Sequence, residues 1–288
     1  MKQQPAVGPS TQLLGIIGNP VGHSMSPAIH NRAFRELGLD YVYLAFRVED
    51  VAGAIRGVRA LENFRGLSVT IPHKVAVVPF LDELQPVDAG IGSVNTVVKE
   101  GNRLKGIGTD GPGARKALTD AGVTLRGKRI LLLGSGGAAR AVGFDLAYNA
   151  APADLHLMGV IPEELSRLAT DIRTKSETSV TDALIDDSSL AAAMETADVI
   201  IHATPVGMHP KESDTLVPKR LFRDSQAVMD IVYNPLKTQL LKDAEDRGLV
   251  TVSGVDMFVN QAALQFAAWT GLEAPVEVMR EAVLEQLR

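Results

Sequence analysis

The chain has 288 residues, enough for two domains, and its 45% hydrophobic against 22% charged residues is the balance of a soluble globular protein. A net charge of -5 with no long basic run argues against nucleic acid or an anionic membrane surface as a partner. The lack of cysteine excludes disulfides, thiolate metal sites and a cysteine nucleophile, and fits a cytoplasmic protein.

Residues 1–12 are polar, hold Pro5, Gly8 and Pro9, and lack the apolar core of a secretory signal. They read as a mobile tail. No apolar run reaches the ~18 residues of a membrane span. Residues 13–18 form a buried strand closed by Asn19-Pro20. Ser26-Pro27 opens a helix to Leu37, with Ser26 as N-cap and Gly38 as its stop. Strands follow at 41–46 and 66–71, with a helix at 51–61 between them. A helix is expected over 75–84, then a hairpin of 92–98 and 102–107 around Glu100-Gly101. Residues 111–121 read as a connecting helix.

The second half alternates more regularly. Strand 128–133, helix 138–149 and strand 154–158 make a βαβ unit. A helix at 163–174, a short strand at 180–181, a helix at 190–195 and a strand at 198–203 continue it. Strand 227–231, helix 239–247 and strand 250–252 complete the series. Two amphipathic helices, 257–269 and 275–287, have no strand after them and are expected to pack back on the first half. The fold class is therefore α/β, with an open-sheet domain followed by a dinucleotide-binding domain.

Three features carry chemistry. The turn Gly134-Ser135-Gly136-Gly137-Ala138 follows the apolar strand Ile130–Leu133 and opens a helix. Its glycines let the main chain approach a pyrophosphate at a helix N-terminus, and Ala139 is small enough for the helix to pack on the strand. Lys74 follows a strand end and a proline, and Asp110 lies between Thr109 and Gly111. An ammonium with a carboxylate partner can exchange a proton with a hydroxyl as hydride moves. At the end of the second βαβ strand, Met158-Gly159-Val160-Ile161 contains neither an acid for a ribose hydroxyl nor a cation for a 2′-phosphate. A doubly charged phosphate there would lack compensation, so NAD is expected over NADP, with Arg140 the one nearby cation that could reverse this.

Ser24 and Ser26 flank a helix start, where hydroxyls and the positive helix end suit a carboxylate. Asn95-Thr96 is a polar pair inside a strand and needs partners. Gln261 and Gln265 lie one turn apart on an apolar helix, as ligands or as interhelical glue. The six histidines show no paired ligand spacing, so no metal is expected.

Taken in order, these segments resemble the shikimate dehydrogenase family, its quinate/shikimate and shikimate-dehydrogenase-like paralogues included. The matching segments are Gly18-Asn19-Pro20 with His23-Ser24, Ser26-Pro27 and His30-Asn31, then Val69-Thr70, Pro72 and Lys74, then Gly92 to Thr96 and Thr109-Asp110-Gly111. They continue with Gly134 to Ala138, Ala203-Thr204-Pro205 with Gly207-Met208, Asp230 to Pro235, and Gly254 to Gln261.

The resemblance implies a catalytic pair, Lys74 and Asp110, and a substrate held by Ser24, Ser26, Ser68, Thr70, Asn95, Tyr233 and Gln261. It implies a cofactor on the Gly134–Ala138 turn, at Met158 and Gly159, and along Thr204, Pro205, Met208, Val232 and Gly254, with Tyr233 also at the nicotinamide end. A discontinuous substrate domain (13–112 with 255–288) and a Rossmann domain (113–254) follow, with the site in the cleft between them. The implied reaction is reversible NAD(P)-dependent oxidation of shikimate or quinate to its 3-dehydro ketone, by a monomer or homodimer.

The chain departs from the family pattern at four places. Ser68 and Gly108 each stand where asparagine is expected, and His202 does too. Gly159-Val160-Ile161 replaces an Asn-Arg-Thr clamp for the NADP 2′-phosphate. Loss of an amide at 68 removes a donor and an acceptor near the ring hydroxyls. It opens one alternative, a paralogue acting on quinate or on a modified shikimate such as an aminoshikimate; a separate rival is a non-catalytic protein that senses shikimate or quinate.

Overall fold

The computed structural model describes residues 6–287, so the expected tail at 1–5 lies outside the described residues. Its last residues are tied down. Thr11 is buried and its hydroxyl donates to Asp40 Oδ1 at 2.7 Å.

The elements run β1 (Gln12–Gly18), α1 (Ser26–Leu37), β2 (Tyr41–Arg47), α2 (Val51–Ala60), β3 (Phe64–Val69), α3 (His73–Ala76), β4 (Glu83–Leu84), α4 (Pro86–Ile91), β5 (Thr96–Glu100) and β6 (Arg103–Ile107). They continue α5 (Asp110–Asp120), β7 (Arg129–Leu133), α6 (Gly137–Asn149), β8 (Asp154–Gly159), α7 (Pro162–Lys175), β9 (Val180–Leu184), α8 (Asp187–Thr196) and β10 (Val199–His202). The last are β11 (Ala227–Asp230), α9 (Gln239–Glu245), β12 (Val250–Val252), α10 (Gly254–Thr270) and α11 (Val276–Gln286). Two compact units result: residues up to Thr109 with Val259–Gln286, and Asp110–Phe258.

The first unit holds a mixed six-stranded sheet, β2-β1-β3-β5-β6-β4. β1 pairs parallel to β2 and β3, and β5 runs antiparallel to both β3 and β6. Five of six residues of β3 are buried, because both of its faces are covered. Ile55, Val58, Leu67, Val97 and Leu104 form part of the core on one side. α1 and α11 pack together, and the α10 residue Trp269 donates its indole N–H to Val97 O at 3.0 Å, so the C-terminal helices return to the first unit.

The helix expected over 75–84 does not form. Pro79 lacks an N–H, residues Val78–Phe80 make a 3-10 turn, and Glu83–Leu84 join the sheet beside β6. The Asp82 carboxylate accepts Leu104 N–H at 2.7 Å and the Arg59 guanidinium, which draws the segment to the sheet. The hairpin strand starts at Thr96 rather than Gly92, since Pro86–Ile91 forms a helix that ends on Gly92 at φ 74.

The second unit is a parallel sheet in the order β12-β11-β10-β7-β8-β9. The chain leaves β7 in one direction and returns at β10 to build in the other, the doubly wound arrangement of a Rossmann domain. The reversal falls between β7 and β10, where Leu133 is in register with His202. Among the described residues, no helix is long and apolar enough to cross a membrane, and no cluster of His, Asp and Glu is arranged to hold a metal ion.

Candidate functional site

In the first unit the candidate residues sit beyond the carboxyl end of β1, at that of β3, on α3, just before β5, and on α10. α1 begins at Ser26 with Met25 in the N-cap position, so Ser26 is not the cap expected from the sequence. Ser24 Oγ instead accepts the Ser26 N–H at 3.3 Å, a local turn in which the earlier hydroxyl serves the main chain. Ser26 is buried against the Tyr43 phenol, whose pKa burial pushes up while the Ser68 and Ser26 hydroxyls oppose the rise.

Ser68 is spent internally. Its hydroxyl accepts from Tyr43 Oη at 2.6 Å and donates to Gln265 Oε1 at 3.0 Å. One lone pair remains for a ligand, less than the role expected for it. The Gln265 amide continues the chain, donating to Thr96 Oγ1 at 2.8 Å, and Thr96 Oγ1 donates to Asn95 Oδ1 at 2.9 Å. Asn95 Oδ1 also accepts the Thr109 N–H at 2.8 Å, while its Nδ2 donates to Thr109 Oγ1 at 2.9 Å and to Gln261 Oε1 at 3.4 Å. Ser68, Asn95 and Gln261 are thus brought together by one buried polar network. Each bond fixes the rotamer of the next, so the remaining polar atoms point in set directions.

Beneath this network lies His30, fully buried, with neither ring nitrogen hydrogen-bonded. Its ring stacks on Tyr43 at 4.6 Å and meets Trp269 edge-on at 5.2 Å. Burial lowers its pKa to about 3, with a smaller upward pull from the Gln265 amide, which misses hydrogen-bond geometry.

Lys74 is half-buried on α3. The turn that presents it is tied at three points. Thr70 N–H bonds Ile17 O at 3.0 Å, His73 N–H bonds Thr70 O at 2.8 Å, and Lys74 O accepts the N–H of Val94, next to Asn95, at 3.0 Å. Thr70 is half-buried at the end of β3. Gly108 faces the buried Asp88, since a Cβ there would lie 2.4 Å from Asp88 Oδ1.

In the second unit Asp110 is the first residue of α5. The glycine turn lies between β7 and α6. Gly134 has φ 123, and a side chain on it would meet Ala203 O at 2.5 Å. Its N–H bonds Met158 O at 2.7 Å. α6 starts at Gly137 with no side-chain cap, and a Cβ on Gly136 or Gly137 would meet no protein atom within 4 Å. Ala138 is half-buried and Ala139 fully buried, as close helix–strand packing requires. A 13-residue helix with open, uncapped amides at the sheet's reversal point fits the pyrophosphate of a dinucleotide.

The neighbouring loops gather there. Ser135 Oγ is 3.0 Å from where a Cβ on Gly159 would stand, and Thr204 lies beside Gly134. The Met158 side chain is fully buried in the core with Leu131, Leu133 and Val228, and its carbonyl accepts the Gly134 N–H of the turn. Gly254 is required because a Cβ there would be 2.4 Å from Val232 O. Val232 is buried, its N–H bound to Asp230 Oδ1 at 3.0 Å. Pro205, Met208 and Tyr233 are exposed, and Tyr233 stacks on Phe258 at 5.3 Å. Arg140 is engaged: it donates to Asp171 at 2.6 Å and lies 4.9 Å over the Phe144 ring.

The sequence reading did not name Tyr43, Thr96, Thr109 or Asp230 as site residues. Thr96 and Thr109 sit beside residues it did name. Tyr43 carried no signal beyond a strand aromatic. Gln265, read as glue or ligand, proves to be the hub of the network.

The shikimate dehydrogenase substrate binding domain matches residues 16–97, and the shikimate 5'-dehydrogenase C-terminal domain matches residues 254–284. The chain is 44% identical to "Shikimate dehydrogenase (NADP(+))" of Moorella thermoacetica, over 96% of this chain and 94% of that one. The protein of the same name from Methanopyrus kandleri is 46% identical over 98% of each. A shikimate 5-dehydrogenase of Listeria monocytogenes, solved with shikimate and NAD, superposes with a TM-score of 0.92 at 36% identity, covering 97% of this chain and 98% of that one. The curated names carry NADP(+) and lend no support to the expected preference for NAD. With this identity sustained over nearly its whole length, and with both sheets and the glycine turn in place, the chain belongs to the shikimate dehydrogenase family.

Proposed function

We propose that this protein is an NAD(P)-dependent dehydrogenase that oxidises shikimate reversibly to 3-dehydroshikimate. The observation that carries the reading is the buried network of Asn95, Thr109 and Gln261 beside the tethered turn of Lys74. It offers directed amide and hydroxyl groups to a polyhydroxylated ring next to a primary amine. Ser24, Ser26, Thr70 and Tyr233 complete the substrate's polar surroundings. Lys74 takes the proton of the reacting hydroxyl, and Asp110 is its carboxylate partner. The nicotinamide, when bound, supplies the hydride acceptor. Gly134, Ser135, Gly136, Gly137 and Ala138 hold the pyrophosphate through main-chain amides, and Gly159, Thr204, Pro205, Met208, Val232 and Gly254 line the remainder.

A steady-state comparison tests this. Lys74→Ala should lower kcat by ~10²–10⁴ with a modest change in KM, and Asp110→Asn should behave similarly. A Lys74→Ala enzyme with near-native kcat ends the proposal.

One observation favours a second reading of the substrate. Ser68 lacks an amide and its hydroxyl is bound to Tyr43 and Gln265, which suits a related ring acid such as quinate or an aminoshikimate. For the cofactor, the names of the relatives weigh for NADP, while this chain's own residues weigh for NAD. The end of β8 has no cation, Arg140 is committed to Asp171, and Glu163, Glu164 and Asp186 stand at the following helix starts. A 2′-phosphate would meet like charge there. We infer NAD as the better cofactor. A matrix of shikimate and quinate against NAD and NADP decides both points, and a tenfold higher kcat/KM with NADP would refute the inference.

A further inference from the structure

Resting on that reading, and going beyond it, is a buried link at the sheet's reversal point. His202 ends β10 and is almost wholly buried. Its Nδ1 faces Asp230 Oδ1 at 2.9 Å, and its Nε2 faces Thr204 Oγ1 at 2.5 Å. The Asp230 carboxylate is fully buried and also accepts Val232 N–H at 3.0 Å and the Thr238 hydroxyl at 2.6 Å.

The bonding pattern follows from these partners. A carboxylate only accepts, so the proton of the imidazole sits on Nδ1. In the neutral ring Nε2 is then an acceptor, and the single hydrogen of Thr204 goes to it. Thr204 Oγ1 also accepts Val206 N–H at 3.3 Å, which leaves it one lone pair and no hydrogen to give. Thr204 stands beside Gly134 of the cofactor turn.

We infer that His202 is a positioning residue that, braced by Asp230, holds Thr204 as a hydrogen-bond acceptor for a donor on the nicotinamide nucleoside. That donor is the carboxamide N–H or a ribose hydroxyl. Asparagine, expected at 202 from the family pattern, is long enough to replace Nδ1 toward Asp230 but too short to replace Nε2 toward Thr204. The histidine therefore adds a constraint on Thr204 that an amide would not.

The test is calorimetric binding of NADH and NADPH at about pH 8 to the wild type, His202→Asn, Thr204→Val and the double variant, with melting temperatures alongside. Each single variant should weaken binding of the preferred cofactor about 3–10-fold, as loss of one hydrogen bond does. The double should be no weaker than either single, because one interaction is removed twice. His202→Asn should melt near the wild type, its amide still serving Asp230. Unchanged binding in either single variant, or losses that multiply in the double, would overturn the inference. Thr204→Val leaves the His202–Asp230 pair intact, so the test stands even if His202→Asn folds poorly. A 3-acetylpyridine cofactor, which lacks the amide N–H, separates the donors: a carboxamide donor makes both variants discriminate less against it, a ribose donor does not. A wild type that binds neither dinucleotide defeats the functional reading itself, whereas normal wild-type binding with unaffected variants defeats only the role of His202.

Discussion

On the proposed reading, the second unit offers its ligand main chain, and the first offers its ligand side chains. Around Gly134, uncapped amides, a left-handed glycine and close carbonyls do the work, and nearly any deviation is a backbone deviation. Around Asn95, seven polar side chains from β2, β3, the edge of β5, the loop before α5 and α10 are locked by hydrogen bonds between residues as far as 197 positions apart. A main-chain surface recognises what all dinucleotides share, since every residue type presents the same amide. A side-chain network is matched to one arrangement of hydroxyls, and a side chain without an amide, as at Ser68, offers it fewer donors and acceptors.

The sharpest way to break this contrast is at Gly134. Gly134→Ala puts a Cβ 2.5 Å from a backbone carbonyl at φ 123. It should cost roughly 3 kcal/mol of stability and at least tenfold in dinucleotide affinity, read by urea unfolding and by calorimetry. Native affinity in that variant would mean the turn does not hold the pyrophosphate.

The next effect belongs to the floor of the side-chain network. His30 has a pKa of about 3 when folded, against an ordinary 6.5. Above pH 6.5 both states are neutral and nothing is lost. As pH falls toward 3 the unfolded chain binds a proton that the folded one refuses, so stability falls through that window, by roughly 2 kcal/mol at pH 5. His30→Phe should flatten this acid limb in urea titrations at pH 7 and pH 5. An acid limb equally steep in the variant would place the loss elsewhere.

The smallest effect separates the two surfaces. Gln265→Leu leaves Ser68 and Thr96 short of a partner and should cost about 1–2 kcal/mol. It should raise KM for the ring acid while leaving dinucleotide affinity unchanged. If both affinities fall together, the surfaces are not independent.

Legibility followed the same division. The strand Ile130–Leu133, the glycine turn and the helix after it were readable because their signals are local: apolar run, flexible turn, small residue at 139. The expected helix over 75–84 failed because Pro79 and the tertiary partners of Asp82 outweigh propensity. Met158 stands near the end of β8 as expected, but that its side chain enters the core while its carbonyl holds Gly134 is a matter of tertiary packing.

By itself, then, the sequence determined the α/β order, the dinucleotide turn and the residue types able to exchange a proton, since each depends on neighbours a few positions away. Only the tertiary structure decided that Ser68 spends its hydroxyl on Tyr43 and Gln265, that Asn95 and Gln261 share a buried network, and that His202 bridges Asp230 to Thr204. Those outcomes turn on which side chains meet after long loops close. Hydrogen bonds between them are settled by distance and direction in space, which spacing along the chain does not encode.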